Sequence, residues 1–180
     1  MALQLPWGAA LTYDDLQNLP EDGHRYELLD GTLLVTPSPN HAHQRCVLRL
    51  AVLLDHAAPP DMEVLVAPFD WLIGPRTSFE PDVLVARRAD IAERNLPHPP
   101  LLAVEVLSPS TRRIDLVLKR DAYASAGMST YWIVDPDVPS VTVLRLEDGA
   151  YVEEAAVSGD ESFTASSPFP VTVVPARLLD

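Results

Sequence analysis

Apolar positions recur along this chain in two rhythms. His43, Val47, Leu50 and Leu54 follow i, i+4, i+7, i+11 and mark one face of a helix that runs from the Pro37-Ser38-Pro39-Asn40 loop to about His56. Short runs rich in Val, Ile and Leu then appear at Val64 to Pro68, Asp70 to Ile73, Pro81 to Ala86 and Leu101 to Leu107, each of strand length. Four strands in succession predict a sheet. Thr111 to Ala126 returns to helical spacing and is closed by Gly127, after which Thr130 to Val134 and Val141 to Leu146 resume the strands. Ahead of all this, Thr12 to Leu19 predicts a short helix. Tyr26 to Thr36 predicts a hairpin at Asp30-Gly31, a pair that tolerates the positive φ of a tight turn. The order of elements gives an α/β or α+β fold, a mixed β-sheet flanked by helices with an extra N-terminal hairpin, in a single domain over 1–180.

Composition narrows what this fold can do. With 180 residues and 47% hydrophobic side chains the chain can bury one core. Its 18 prolines punctuate short elements, and no repeat or low-complexity tract is visible. The formal charge of −13 excludes a general basic coat for nucleic acid or anionic lipid. That charge resides at the two ends. Only Leu101 to Thr130 leans positive, with Arg112, Arg113, Lys119 and Arg120 against Glu105, Asp115 and Asp121, so if a polyanion binds anywhere it is expected near there. No apolar run approaches the roughly 18 residues of a membrane span, and Met1 to Ala10 lacks the pattern of a signal peptide. A cytoplasmic location is the expectation. Cys46 is the sole cysteine, which excludes an intrachain disulfide and a cysteine zinc cluster.

Three charged residues sit where apolar ones are expected. Lys119 projects from an apolar stripe formed by Leu118, Ala122, Tyr123 and Ala126. It either snorkels from the rim or points inward at a carboxylate. Glu105 lies in Leu-Leu-Ala-Val-Glu-Val-Leu, which reads as a central strand, and is the natural partner for Lys119. Asp82 opens another interior strand after Pro81. Two carboxylates on neighbouring interior strands need a cation between them, and hard oxygen ligands suit Mg²⁺ or Mn²⁺; a structural ion-pair cluster is the alternative. Ser108-Pro-Ser-Thr-Arg-Arg enters the second helix, first as its cap and second as a phosphate cradle. His41 and His43 fall on different helix faces, a poor two-ligand metal site, and His43 reads as a core-edge residue. Glu27 follows Arg25-Tyr26 on the first hairpin strand, a weak signal by itself.

Taken in order, Arg25-Tyr-Glu-Leu-Leu-Asp-Gly31, Pro37-Ser-Pro with His43, Pro81-Asp82-Val-Leu-Val, Val104-Glu105-Val-Leu-Ser-Pro-Ser-Thr111, Asp115-Leu with Lys119-Arg120 and Tyr123, and Tyr131-Trp-Ile-Val-Asp135 resemble the Uma family of restriction-endonuclease-like bacterial proteins. The likeness spans about Leu11 to Leu179. That family belongs to the PD-(D/E)xK nuclease superfamily, and the resemblance implies its mixed sheet flanked by helices. It also implies that Asp82, Glu105 and the Val106 carbonyl hold Mg²⁺ or Mn²⁺ and that a lysine lies near the attacked phosphate. The superfamily spacing would put the lysine at 107, where this chain has Leu107; Lys119 on the following helix takes its place. Glu27 matches the family's Tyr-Glu-Leu acidic position and would be an outer metal ligand. The function so implied is metal-dependent hydrolysis of DNA phosphodiester bonds. A non-catalytic, partner-binding scaffold with a structural ion-pair cluster is the alternative, and a hydrolase of smaller phosphoesters is a third reading. Cutting both strands would need two sites, so a homodimer is expected, with the apolar tail Val171 to Leu179 as its candidate surface. No appended base-reading module is visible.

Overall fold

A computed structural model describes residues 10–20 and 22–180; the reading of the first nine residues as no signal peptide lies outside them. The chain opens with α1 (Tyr13–Leu16), started by Thr12 in a reciprocal capping box with Asp15. β1 (Arg25–Leu29) and β2 (Thr32–Thr36) pair antiparallel about Asp30-Gly31, whose φ values of 50° and 81° supply the mirror-image turn the Asp-Gly pair predicts. α2 (His41–Ala57) follows, capped by the Asn40 side chain on the His43 N–H.

Next come β3 (Met62–Val66), β4 (Asp70–Gly74), β5 (Thr77–Phe79), β6 (Val83–Arg87), β7 (Asn95–Leu96) and β8 (Leu102–Val106). They do not form one sheet. β3, β6 and β8 join β9 (Thr130–Asp135), β10 (Ser140–Glu147) and β11 (Ala150–Ser158) in a six-stranded sheet of order β11-β10-β9-β8-β6-β3. β4 departs from the expected single sheet and joins β2-β1-β5-β4-β7, because Trp71 on it fills the second core rather than the first. All neighbours in the larger sheet are antiparallel except β8 and β9, whose parallel pairing requires the helical crossover between them. β11, β12 (Phe163–Ala165) and β13 (Val171–Val173) lie beyond the strands expected from the sequence. β11 is an edge strand, mostly exposed, so its burial pattern carries little alternation to read.

Side chains alternate across the six-stranded sheet and feed two cores. Val83, Val85, Leu102, Val104, Trp132 and Val134 face α2 and the C-terminal β12–β13 hairpin. Leu84, Ala86, Ala103, Tyr131 and Ile133 face the smaller sheet and the crossover helix, together with Trp71, Phe79 and Tyr123. The tail expected to offer a dimer surface is spent here instead. Val171, Val173 and Leu178 are buried in the same core as Leu50 and Leu54 of α2.

The crossover helix, α3, spans 112–125 and departs from regular winding: Ile114–Lys119 is π-helical and Arg120–Ser125 is α-helical. Its wider turns keep positions four apart in line, so the inward row is Thr111, Asp115, Lys119 and Tyr123, all buried. Leu118, expected on the apolar stripe, is 41% exposed. Inside this segment the Tyr131 hydroxyl donates to the Asp115 carbonyl at 3.0 Å. Gly127 ends the helix at φ 76°, as its position predicts.

Candidate active site

Strand register assembles the site. Val83 pairs with Val104, so Asp82, one step before β6, falls opposite Glu105 on β8. The period of two turns both side chains to the face where α3 lies. β1 brings Arg25 and Glu27 to the same place, α2 brings His43, and the inward row of α3 brings Asp115, Lys119 and Tyr123.

Lys119 points inward, not to the rim. Its Nζ is 2.8 Å from Glu27 Oε1, 3.0 Å from Glu105 Oε1 and 3.8 Å from Asp115 Oδ1, and the residue is 1% exposed. Burial works against its charge, but the carboxylates of Glu105, Glu27 and Asp115 outweigh that and hold its pKa above the ordinary lysine value. Glu27 Oε1 also accepts the Glu80 backbone N–H at 2.8 Å. Glu105 Oε1 accepts the Tyr123 hydroxyl at 2.7 Å. Burial raises the Glu105 pKa against the pull of Lys119, with Asp82, Asp115 and Glu27 adding to the rise.

Asp82 forms the second half of the site. Its Oδ1 accepts Arg25 Nη1 at 2.7 Å; its Oδ2 lies 3.0 Å from His43 Nε2 and accepts the Val106 N–H at 2.8 Å. Burial opposes the ionised form, yet His43 and Arg25 prevail and hold the carboxyl well below the usual range. The sequence reading placed His43 at the edge of the core. It is buried there, but its ring nitrogen is spent on Asp82. His41, by contrast, is exposed. Ser108 acts as the expected cap: its hydroxyl accepts from the Thr111 N–H, and Arg112 turns to Asp135 at 2.7 Å.

Glu27, Asp82, Glu105 and Lys119 thus lie in one cluster, and Val106 meets it through its backbone N–H. Arg25, His43, Asp115 and Tyr123 join them without having been singled out as site residues. Asp115 and Tyr123 stood in the motif order of the family resemblance, and their four-residue spacing from Lys119 is the signal that the π segment turns into one inward row. Of this assembly Arg25, His43 and Asp82 line a cleft of about 810 Å³, together with Asp70, Glu80 and the Ser108-Pro-Ser-Thr loop, while Glu27, Glu105, Asp115 and Lys119 lie buried behind it.

The arithmetic of charge in this cluster is incomplete. Four buried carboxylates, Glu27, Asp82, Glu105 and Asp115, face two permanent cations, Arg25 and Lys119. Glu105 Oε2 and Asp115 Oδ1 are buried without a hydrogen-bond partner. With all four ionised the cluster lacks two positive charges, and that deficit and the orphaned Glu105 Oε2 are what a hard divalent cation would satisfy; without one, burial favours the neutral form of Glu105. Among the described residues no three His, Cys, Asp or Glu side chains are grouped so as to hold a metal ion.

A mixed sheet with a crossover helix and this carboxylate–lysine cluster defines a nuclease-like fold. Residues 13–177 match the family Uma2, described as "Putative restriction endonuclease", and the chain belongs to that family. Among solved structures it is similar in fold to a "putative nuclease belonging to DUF820" from Anabaena variabilis. The TM-score is 0.72 at 20% sequence identity, over 94% of this chain and 97% of that one. No curated protein matches the chain. No helix among the described residues is long and apolar enough to cross a membrane.

Proposed function

We propose that the protein is a Mg²⁺- or Mn²⁺-dependent endonuclease that hydrolyses DNA phosphodiester bonds. The observation that carries this reading is the buried cluster of four carboxylates against two permanent cations, with Glu105 Oε2 left unpartnered. Asp82, Glu105 and the Val106 carbonyl would hold the metal, which would supply Lewis acidity at a phosphate oxygen and a more acidic water. The chain's own residues set the rest. His43 and the Val106 N–H fix the Asp82 carboxylate. Tyr123 and Lys119 fix Glu105 through its Oε1, leaving Oε2 open. Because its carboxylates keep Lys119 protonated, it serves as a charged donor beside the reacting phosphate and not as a base. Cutting both strands of a duplex takes two such sites, which a homodimer would supply.

Titration calorimetry with Mg²⁺ and Mn²⁺ on wild type and Glu105→Gln tests the metal. Binding in wild type that weakens at least tenfold in the variant is expected. A DNA-cleavage assay of Asp82→Ala, checked for fold by circular dichroism, tests the chemistry; cleavage unchanged in that variant would refute it. One observation favours a second reading, a non-catalytic scaffold: both Asp82 oxygens already have protein partners. Absence of metal binding in both wild type and Glu105→Gln would establish that reading.

A further inference from the structure

The cleft beside Asp82 has an uneven charge. Among its described lining residues Arg25 is the sole Arg or Lys, while Asp70, Glu80 and Asp82 are acidic. Phosphate binding in so acidic a protein cannot rest on a broad basic surface, so it must concentrate where a fixed cation meets the cavity. Arg25 is placed for that. Its Nη1 donates to Asp82 Oδ1 at 2.7 Å and to the Glu80 carbonyl at 3.2 Å. These two bonds orient the guanidinium plane, and among the described residues Nε and Nη2 have no hydrogen-bond partner. The side chain keeps 17% exposure although the carboxylate it holds has 3%. An arginine pinned at one end of its planar fork is pre-organised to present the other donors to an anion.

We propose that Arg25 is the substrate-binding residue of the cleft and anchors one phosphodiester group of a DNA strand next to Asp82. This rests on the nuclease reading for the kind of substrate, but it concerns binding and not cleavage. One cation neutralises one phosphate, so the contact Arg25 makes is to one position of one strand. Ser108, Ser110 and Thr111 line the same cleft and supply hydroxyls alongside the guanidinium.

The test is fluorescence anisotropy with labelled hexathymidylate in EDTA, where no cleavage occurs. It uses wild type, Arg25→Gln and Arg25→Lys, each checked for fold by circular dichroism and thermal unfolding. Arg25→Gln is expected to bind about tenfold more weakly or worse, with Arg25→Lys between it and wild type. The slope of log affinity against log salt should become shallower by about 0.7 in Arg25→Gln, the loss of one phosphate contact on a single strand. Replacing the phosphodiesters by uncharged methylphosphonates should weaken wild type more than Arg25→Gln, which a purely structural role for Arg25 would not produce. Equal affinity and equal slope in folded wild type and Arg25→Gln would overturn the proposal, as would failure of wild type to bind the oligonucleotide. Arg25-dependent binding without cleavage under any divalent cation would leave this inference standing and remove the nuclease reading. Cleavage by wild type with binding indifferent to Arg25 would do the reverse.

Discussion

The Lys119 ammonium lies closer to Glu27, at 2.8 Å, than to Glu105, at 3.0 Å. The residue least conspicuous in the sequence is therefore a principal counter-ion of the buried lysine. Removing the lysine leaves three carboxylates facing one another out of water. Lys119→Met is expected to lower unfolding stability by about 3–5 kcal/mol, as breaking a buried ion pair does. Glu27→Gln should cost less, because the amide oxygen can still accept from Lys119 and Glu80. Urea unfolding in metal-free buffer measures both, and equal losses in the two variants would contradict the ranking.

Acid and base act on this site in a defined direction. Burial, with Asp70 and Glu27 adding to it, pushes Glu80 up to about 7 from an ordinary 4.5. The fold therefore binds a proton that the unfolded chain has released, and stability present below pH 4.5 is lost as pH rises through about 7. Between about pH 5 and about pH 7.5 the unfolding free energy in EDTA should fall, and Glu80→Gln should flatten that fall by about 2 kcal/mol after allowance for partial exposure. A slope that survives the substitution would place the proton elsewhere.

The first hairpin depends on one glycine. Gly31 has φ 81°, and a Cβ there would stand 2.5 Å from the Ala10 Cβ. Gly31→Ala meets both backbone strain and a collision with main-chain neighbours, and should lose about 1–3 kcal/mol. Since β1 carries Arg25 and Glu27, the thermal midpoint and oligonucleotide affinity should fall together.

Cys46 is 1% exposed on α2, and burial pushes its thiol up to about 11. At about pH 8 the native protein should react with a disulfide reagent roughly a hundredfold more slowly than the urea-unfolded chain. Comparable rates would mean that α2 opens readily from the sheet.

Much of this architecture was legible in residue order. The Asp-Gly turn, α2 and the strands around Asp82 and Glu105 all follow from local pattern, whereas that pattern left Lys119 either at the rim or inward. What local pattern could not supply was partition between sheets. β4 looks like its neighbours, and only the long-range placement of Trp71 assigns it to the smaller sheet. His43 shows the same limit: its position on the buried face was readable, but its partner lies 39 residues away. Leu118 failed for a different reason. A stripe drawn at 3.6 residues per turn goes astray where the helix itself changes pitch.

That change of pitch bears on how this protein could be improved. Twelve residues of unbroken α-helix would leave Thr111 and Tyr123 splayed by roughly 120°. The widened turns at Ile114–Lys119 keep the row in line, so that Lys119 and Tyr123 both reach Glu105 Oε1. Engineering this stretch for helix propensity, the usual route to a hardier variant, would reward regular winding and turn the row away from the carboxylates. Here thermal robustness and the chemistry of the cluster pull on the same six residues in opposite directions, so a stability screen left to itself would select the site out of existence.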